Sequence, residues 1–89
     1  MKQKKLKIIN RLGLHARAAA KLVSLANKYQ ATIKISCNDK KANGKSIMAV
    51  MMLAASEGLE IDIVIEGDDE TELLMAVEQL INNRFDEPS

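Results

Sequence analysis

The stretch LEIDIVIEG, residues 59–67, alternates Leu59, Ile61, Ile63 and Ile65 with Glu60, Asp62 and Glu66, and only Val64 is out of pattern. A period of two places the aliphatic side chains on one face of an extended chain and the carboxylates on the other, which defines a strand with one buried side. A sheet made of such strands needs helices over its apolar face alone. Two further stretches read the same way. KKLKIIN sets Leu6 and Ile8 against Lys5 and Lys7, and ATIKISC sets Ile33, Ile35 and Cys37 against Thr32, Lys34 and Ser36. Asn38 and Asp39 are turn formers, so Lys40 to Asn43 is expected as a short return strand closing a hairpin.

Helical periods fill the gaps. From Ala16 to about Tyr29, Ala19, Leu22, Val23 and Ala26 recur at i, i+3, i+4, i+7, with Arg17, Lys21, Ser24 and Lys28 off that stripe. Leu73, Leu74, Val77, Leu80 and Ile81 repeat the period near the end, and Asp69 with Glu72 has the spacing of a capping box. Between them SIMAVMMLAAS, from Ser46 to about Ser56, has a serine to cap its start and Gly58 to end it. The order is β-α-β-β-α-β-α. It predicts an α+β open-faced β-sandwich over residues 1–89, a four-stranded antiparallel sheet with three helices on one face and a single domain. Ferredoxin-like proteins share that order, so it does not give a function.

Composition narrows the classes. The chain is 47% hydrophobic and 28% charged, with no low-complexity tract and no apolar run long enough for a membrane span, so a cytoplasmic protein is expected. Cys37 stands alone, which leaves no disulfide framework and reads as a reduced, packed thiol. The net charge of +1 conceals an asymmetry: residues 1–45 carry twelve Lys and Arg against Asp39 alone, and residues 46–89 carry eleven acids against Arg84. A basic half can serve nucleic acid or an acidic protein partner. Tyr29 and Phe85 are the only aromatics, too few for base stacking, so nucleic acid is not expected.

The single histidine, His15, falls at the start of the first helix. A helix N-terminus has unpaired N–H groups and about half a positive charge, favouring an anion and disfavouring an imidazolium. A neutral ring there can attack phosphorus through one nitrogen, with Arg17 to fork onto the oxygens and Gly13 to allow a tight approach. Spacing alone also permits an ordinary surface histidine. A metal site is not expected, since there is no second histidine and the first 45 residues offer only one acid.

Ser46 follows Lys45 in GKS, but Asp39 stands where the leading glycine of a nucleotide-binding loop would have to be. Ser46 is first of all an N-cap, and a phosphate would be tolerated at that positive helix end. Ile47 to Leu53 is apolar all round, more than a core-facing helix needs, which suggests a partner. Met48, Met51 and Met52 suit an adaptable docking surface, with core filling as the competing account, strongest for Met52.

GLHARAAAKLV with KSIMAVMMLAASEG resembles the HPr family, the histidine-containing phosphocarrier proteins of the bacterial phosphotransferase system, over nearly the whole chain. The resemblance implies the fold above and a role as carrier rather than turnover enzyme, without metal or organic cofactor. It implies that His15 takes a phosphoryl group on Nδ1 from enzyme I, charged from phosphoenolpyruvate, and passes it to an IIA protein. Arg17 would assist, with the backbone N–H groups of Ala16 and Arg17 donating hydrogen bonds to the phosphate. Ser46 matches the serine that a dedicated ATP-dependent kinase phosphorylates in many members. Ala20, Lys21, Lys45, Ile47, Met48 and Met51 would form the docking face of a monomer. Ala18 stands where many members have proline, and Ser24 and Asn27 stand where transport-type members often carry lysine. LINNRFDE and VMMLAAS look more like the nitrogen-type or regulatory branch, so a regulatory protein acting through phosphorylation-dependent contacts is the alternative.

Overall fold

The alternating stretches form the expected strands in the computed structural model, which describes residues 1–89. The strands are β1 (Lys2–Lys7), β2 (Thr32–Cys37), β3 (Lys40–Asn43) and β4 (Glu60–Glu66), and the helices are α1 (Ala16–Ala26), α2 (Ile47–Met52) and α3 (Glu70–Asn82). A three-residue 3-10 turn, Arg84–Asp86, follows α3. The sheet order is β1-β4-β2-β3, antiparallel throughout. β4 is thus central. Its register sets Ile63 beside Ile35 of β2 and Ile65 beside Ile33, so the inward aliphatics of neighbouring strands meet in rows.

The helices cover the face that those rows present. Leu22 and Val23 of α1, Val50 of α2, and Leu73, Val77 and Ile81 of α3 join Ile33, Ile35, Ile61, Ile63 and Ile65 in one buried cluster. Lys34, Glu60 and Glu66 remain exposed on the other face. Cys37 is buried and free. No helix is long and apolar enough to cross a membrane.

Two helix ends and one cap differ from the sequence reading, each because a backbone group is claimed from elsewhere. α1 ends at Ala26 rather than near Tyr29. Lys28 N and Tyr29 N close i to i+3 turns on Leu25 O and Ala26 O, and the amides of Gln30 and Ala31 donate to the Asp69 carboxylate, each at 2.8 Å. That carboxylate is therefore not part of the expected box with Glu72. It makes no cap bond to α3, and Glu70 reaches back to accept from Gly67 N at 3.0 Å. α2 stops at Met52 instead of near Ser56. Ala54 takes φ 53°, and beyond it Ala55 O accepts from Leu14 N while Gly58 N donates to Ile8 O. Gly58 is thus not the helix stop; it ties the loop after α2 to Ile8, just past β1.

Candidate functional site

The loop between β1 and α1 is shaped by what it must pass. Gly13 has φ +66°, and a Cβ there would lie 2.5 Å from Ala55 O, so both conformation and space require glycine. Leu14 is buried and bonded to Ala55, leaving His15 as the N-cap of α1. Its backbone is extended, φ −74° and ψ −178°, and its carbonyl accepts from Ala19 N at 2.8 Å. The imidazole does not cap: no side-chain bond closes this helix start, and its first turn holds no acid. The amides there remain available to an external anion.

The ring instead turns to a residue from the far end of the chain. His15 Nε2 lies in a short contact with Glu87 Oε2, and Glu87 Oε1 accepts from Asn10 Nδ2 at 2.9 Å. Burial pushes the Glu87 carboxyl up, but the bonds from the Asn10 amide and the His15 ring outweigh it and hold the group below its ordinary value. An ionised carboxylate only accepts, so Nε2 bears a hydrogen, and in the neutral ring Nδ1 is the nitrogen with the lone pair. The sequence reading found no acid near His15 because it counted acids along the chain. Glu87 is 72 residues away, and nothing in its local pattern marks it.

Arg17 is exposed and makes no ion pair. With Arg11, Leu12, His15, Ala16 and the tail residues Glu87–Ser89 it lines an open concavity of about 690 Å³. Two arginines, an imidazole and an uncapped helix start thus border one open space that an anion can enter. Ala20 and Lys21 lie beside it along a groove shared with Arg17, Ser24, Lys28 and Asp86. Lys21 is already engaged, donating to Phe85 O at 2.8 Å.

The other predicted residues sit one helix away. Ser46 is the N-cap of α2, and its Oγ accepts from Ala49 N at 3.3 Å. Lys45 turns inward and donates to Tyr29 O at 2.7 Å, so it is held rather than free. Ile47, Met48 and Met51 are exposed, as are Leu12 and Met52. Met52, at 70% exposed, is not the core filler that one reading allowed; Val50 and Leu53 take that place. Leu12 adds an apolar side chain that the sequence reading did not single out.

A four-stranded open-faced sandwich presents a histidine at an uncapped helix start, beside unpaired arginines, an arrangement suited to holding an anionic group. Comparison with known proteins gives the family. Residues 2–83 match the family model described as the PTS HPr component phosphorylation site. The phosphocarrier protein HPr of Pseudomonas aeruginosa is 54% identical over 81 residues, 90% of either chain. The crystal structure of an HPr from Thermoanaerobacter tengcongensis superposes over the whole of both chains with a TM-score of 0.95 at 42% identity. Crh of Bacillus subtilis, a catabolite repression protein whose crystal structure is a domain-swapped dimer, is 36% identical with a TM-score of 0.75, covering 94% of this chain and 97% of that one. The chain belongs to the HPr family of phosphocarrier proteins of the phosphotransferase system.

Proposed function

We propose that His15 accepts a phosphoryl group on Nδ1 from enzyme I and passes it to an IIA protein in the cytoplasm. The observation that carries this reading is the division of labour in the imidazole: Nε2 is held by Glu87, and Nδ1 is left free at the uncapped start of α1. Arg17 and Arg11 supply the charge that a dianionic phosphoryl group needs, and the backbone of Ala16 and Arg17 supplies N–H donors. The site binds loosely by construction, being open to solvent on one side, which suits a group that must leave again. Ile47, Met48 and Met51 form the apolar part of the docking face, with Ala20 and Lys21 on the α1 side and Lys45 supporting the turn into α2. A monomer presents this face to donor and acceptor in turn.

Ser46 is the regulatory position in this reading, phosphorylated by a serine-specific kinase. A phosphate there replaces a cap bond of 3.3 Å and puts about two negative charges beside the docking face. Ser46→Asp should weaken affinity for enzyme I, and an unchanged affinity by calorimetry would contradict that role. The similarity to Crh favours a second reading, in which regulation through contacts is the main task. Both share the test of the site. The protein is incubated with enzyme I and phosphoenolpyruvate and weighed intact, before and after brief acid, beside His15→Ala. One acid-labile phosphate that vanishes in the variant supports the carrier; none, where a control HPr is charged, refutes it. Onward transfer to an IIA protein then separates the two readings.

A further inference from the structure

Glu87 is delivered to His15 by features with no other evident purpose. Arg84, Phe85 and Asp86 all take positive φ, 56°, 52° and 63°, a run that L residues adopt only at a cost. Phe85 is fully buried and pins this turn, and Lys21 donates to its carbonyl. Asn10 is the only buried polar residue, 0% exposed. Its Nδ2 bridges Gly13 O and Glu87 Oε1, both at 2.9 Å, and its Oδ1 has no partner. A buried amide with an orphaned acceptor is an unfavourable choice for a core, and such local conflicts gather at functional sites.

We propose that Glu87, held by Asn10, is a positioning residue for His15: it fixes the proton on Nε2 and balances the charge the ring acquires when Nδ1 takes a phosphoryl group. The inference rests on the phosphocarrier reading above. In the transfer, the Nδ1 lone pair forms the bond to phosphorus while the bond from phosphorus to the donor breaks and its electron pair leaves with the donor. No proton moves. The product ring carries phosphorus on Nδ1 and hydrogen on Nε2, so it is cationic, and the carboxylate against Nε2 is its counter-ion. The other charged side chains lining the concavity with the ring are Arg11 and Arg17, and Lys21 and Asp86 lie paired in the adjoining groove. The three cations oppose the ring charge, and Asp86 is drawn to Lys21, so Glu87 is the acid that meets the imidazole.

The test compares the unchanged chain with Glu87→Gln, which keeps the shape and removes the charge, and with Asn10→Ala, which keeps the charge and removes its support. With enzyme I as catalyst, Glu87→Gln should lower kcat about 10-fold and leave KM within about twofold, and Asn10→Ala should act in the same direction and less. Nitrogen-15 NMR of the phosphorylated proteins supplies a readout that mere folding would not move. Nε2 of phospho-His15 should lose its proton about one pH unit lower in Glu87→Gln than in the unchanged chain. Equal kcat and coincident titrations would overturn the positioning role while leaving the carrier intact. An unchanged chain that takes no phosphate from enzyme I would instead overturn the phosphocarrier reading and this inference with it.

Discussion

Helices α1 and α2 begin alike in backbone and differently in side chain. His15 and Ser46 are both extended N-cap residues whose carbonyls accept the first helical bond, from Ala19 N and Val50 N. Ser46 then closes its own helix, with Oγ on Ala49 N. His15 does not close its helix; its ring is turned away and held by Glu87. One helix start is satisfied from within, and the other is left open for something from outside. A sequence position at a helix start is therefore not yet a site. What separates the two is whether the side chain caps, and only the structure shows that.

The largest effect expected is at the open start. His15→Ala should abolish phosphoryl uptake and cost about 1 kcal/mol of unfolding free energy, from the lost contact with Glu87 and not from a lost cap bond. Paired mass spectrometry and urea unfolding would check this, and a stability loss that persists in a Glu87→Ala background would show that the ring closes the helix after all. Gly13 joins the two regions, since its close approach to Ala55 sits where α2 ends and α1 is about to begin. Gly13→Ala should cost about 2 kcal/mol or more, from positive φ and a Cβ 2.5 Å from Ala55 O, lowering Tm by about 10 °C in a calorimetric scan. Ser46→Ala should cost about 1 kcal/mol by the same measurement and leave charging of His15 unaltered, because a closed start contributes to stability and not to transfer.

The third helix start gives the smallest and most pH-dependent effect. Asp69 opens α3, but its carboxylate serves Gln30 and Ala31. The Gln30 amide, ahead of that of Ala31, holds it below the ordinary aspartate value against the opposing effect of desolvation. A lowered native value means that the bound form is the ionised one. The stabilisation is fully present above about pH 4 and is lost as pH falls through the lower native value. The urea midpoint should therefore start to drop only below about pH 4 and go on falling through the lower native value, and Asp69→Asn should flatten part of that drop.

Strands and the core were legible in the sequence because a period of two with strongly contrasted side chains leaves few alternatives. Leu6, Ile33, Ile35, Ile61, Ile63 and Ile65 are buried as the alternation requires. His15 and Ser46 were legible as helix starts for a similar reason, since the periodic stripes that follow them fix where each helix must begin. The ends of α1 and α2 and the use of Asp69 were not, because each depends on a partner far along the chain: Asp69 for Gln30 and Ala31, Leu14 for Ala55. Glu87 was hidden most completely. It is brought to His15 by a turn of three residues with positive φ, none of them glycine, and no side-chain pattern announces such a turn.

The account's central claim concerns one atom. Phosphorus-nitrogen correlation NMR on protein charged by enzyme I and labelled in its histidine would read it directly. The expected result is a single phosphoryl group coupled to Nδ1 of His15, with Nε2 still bearing its proton. Coupling to Nε2, or phosphate carried on any other residue, would contradict it.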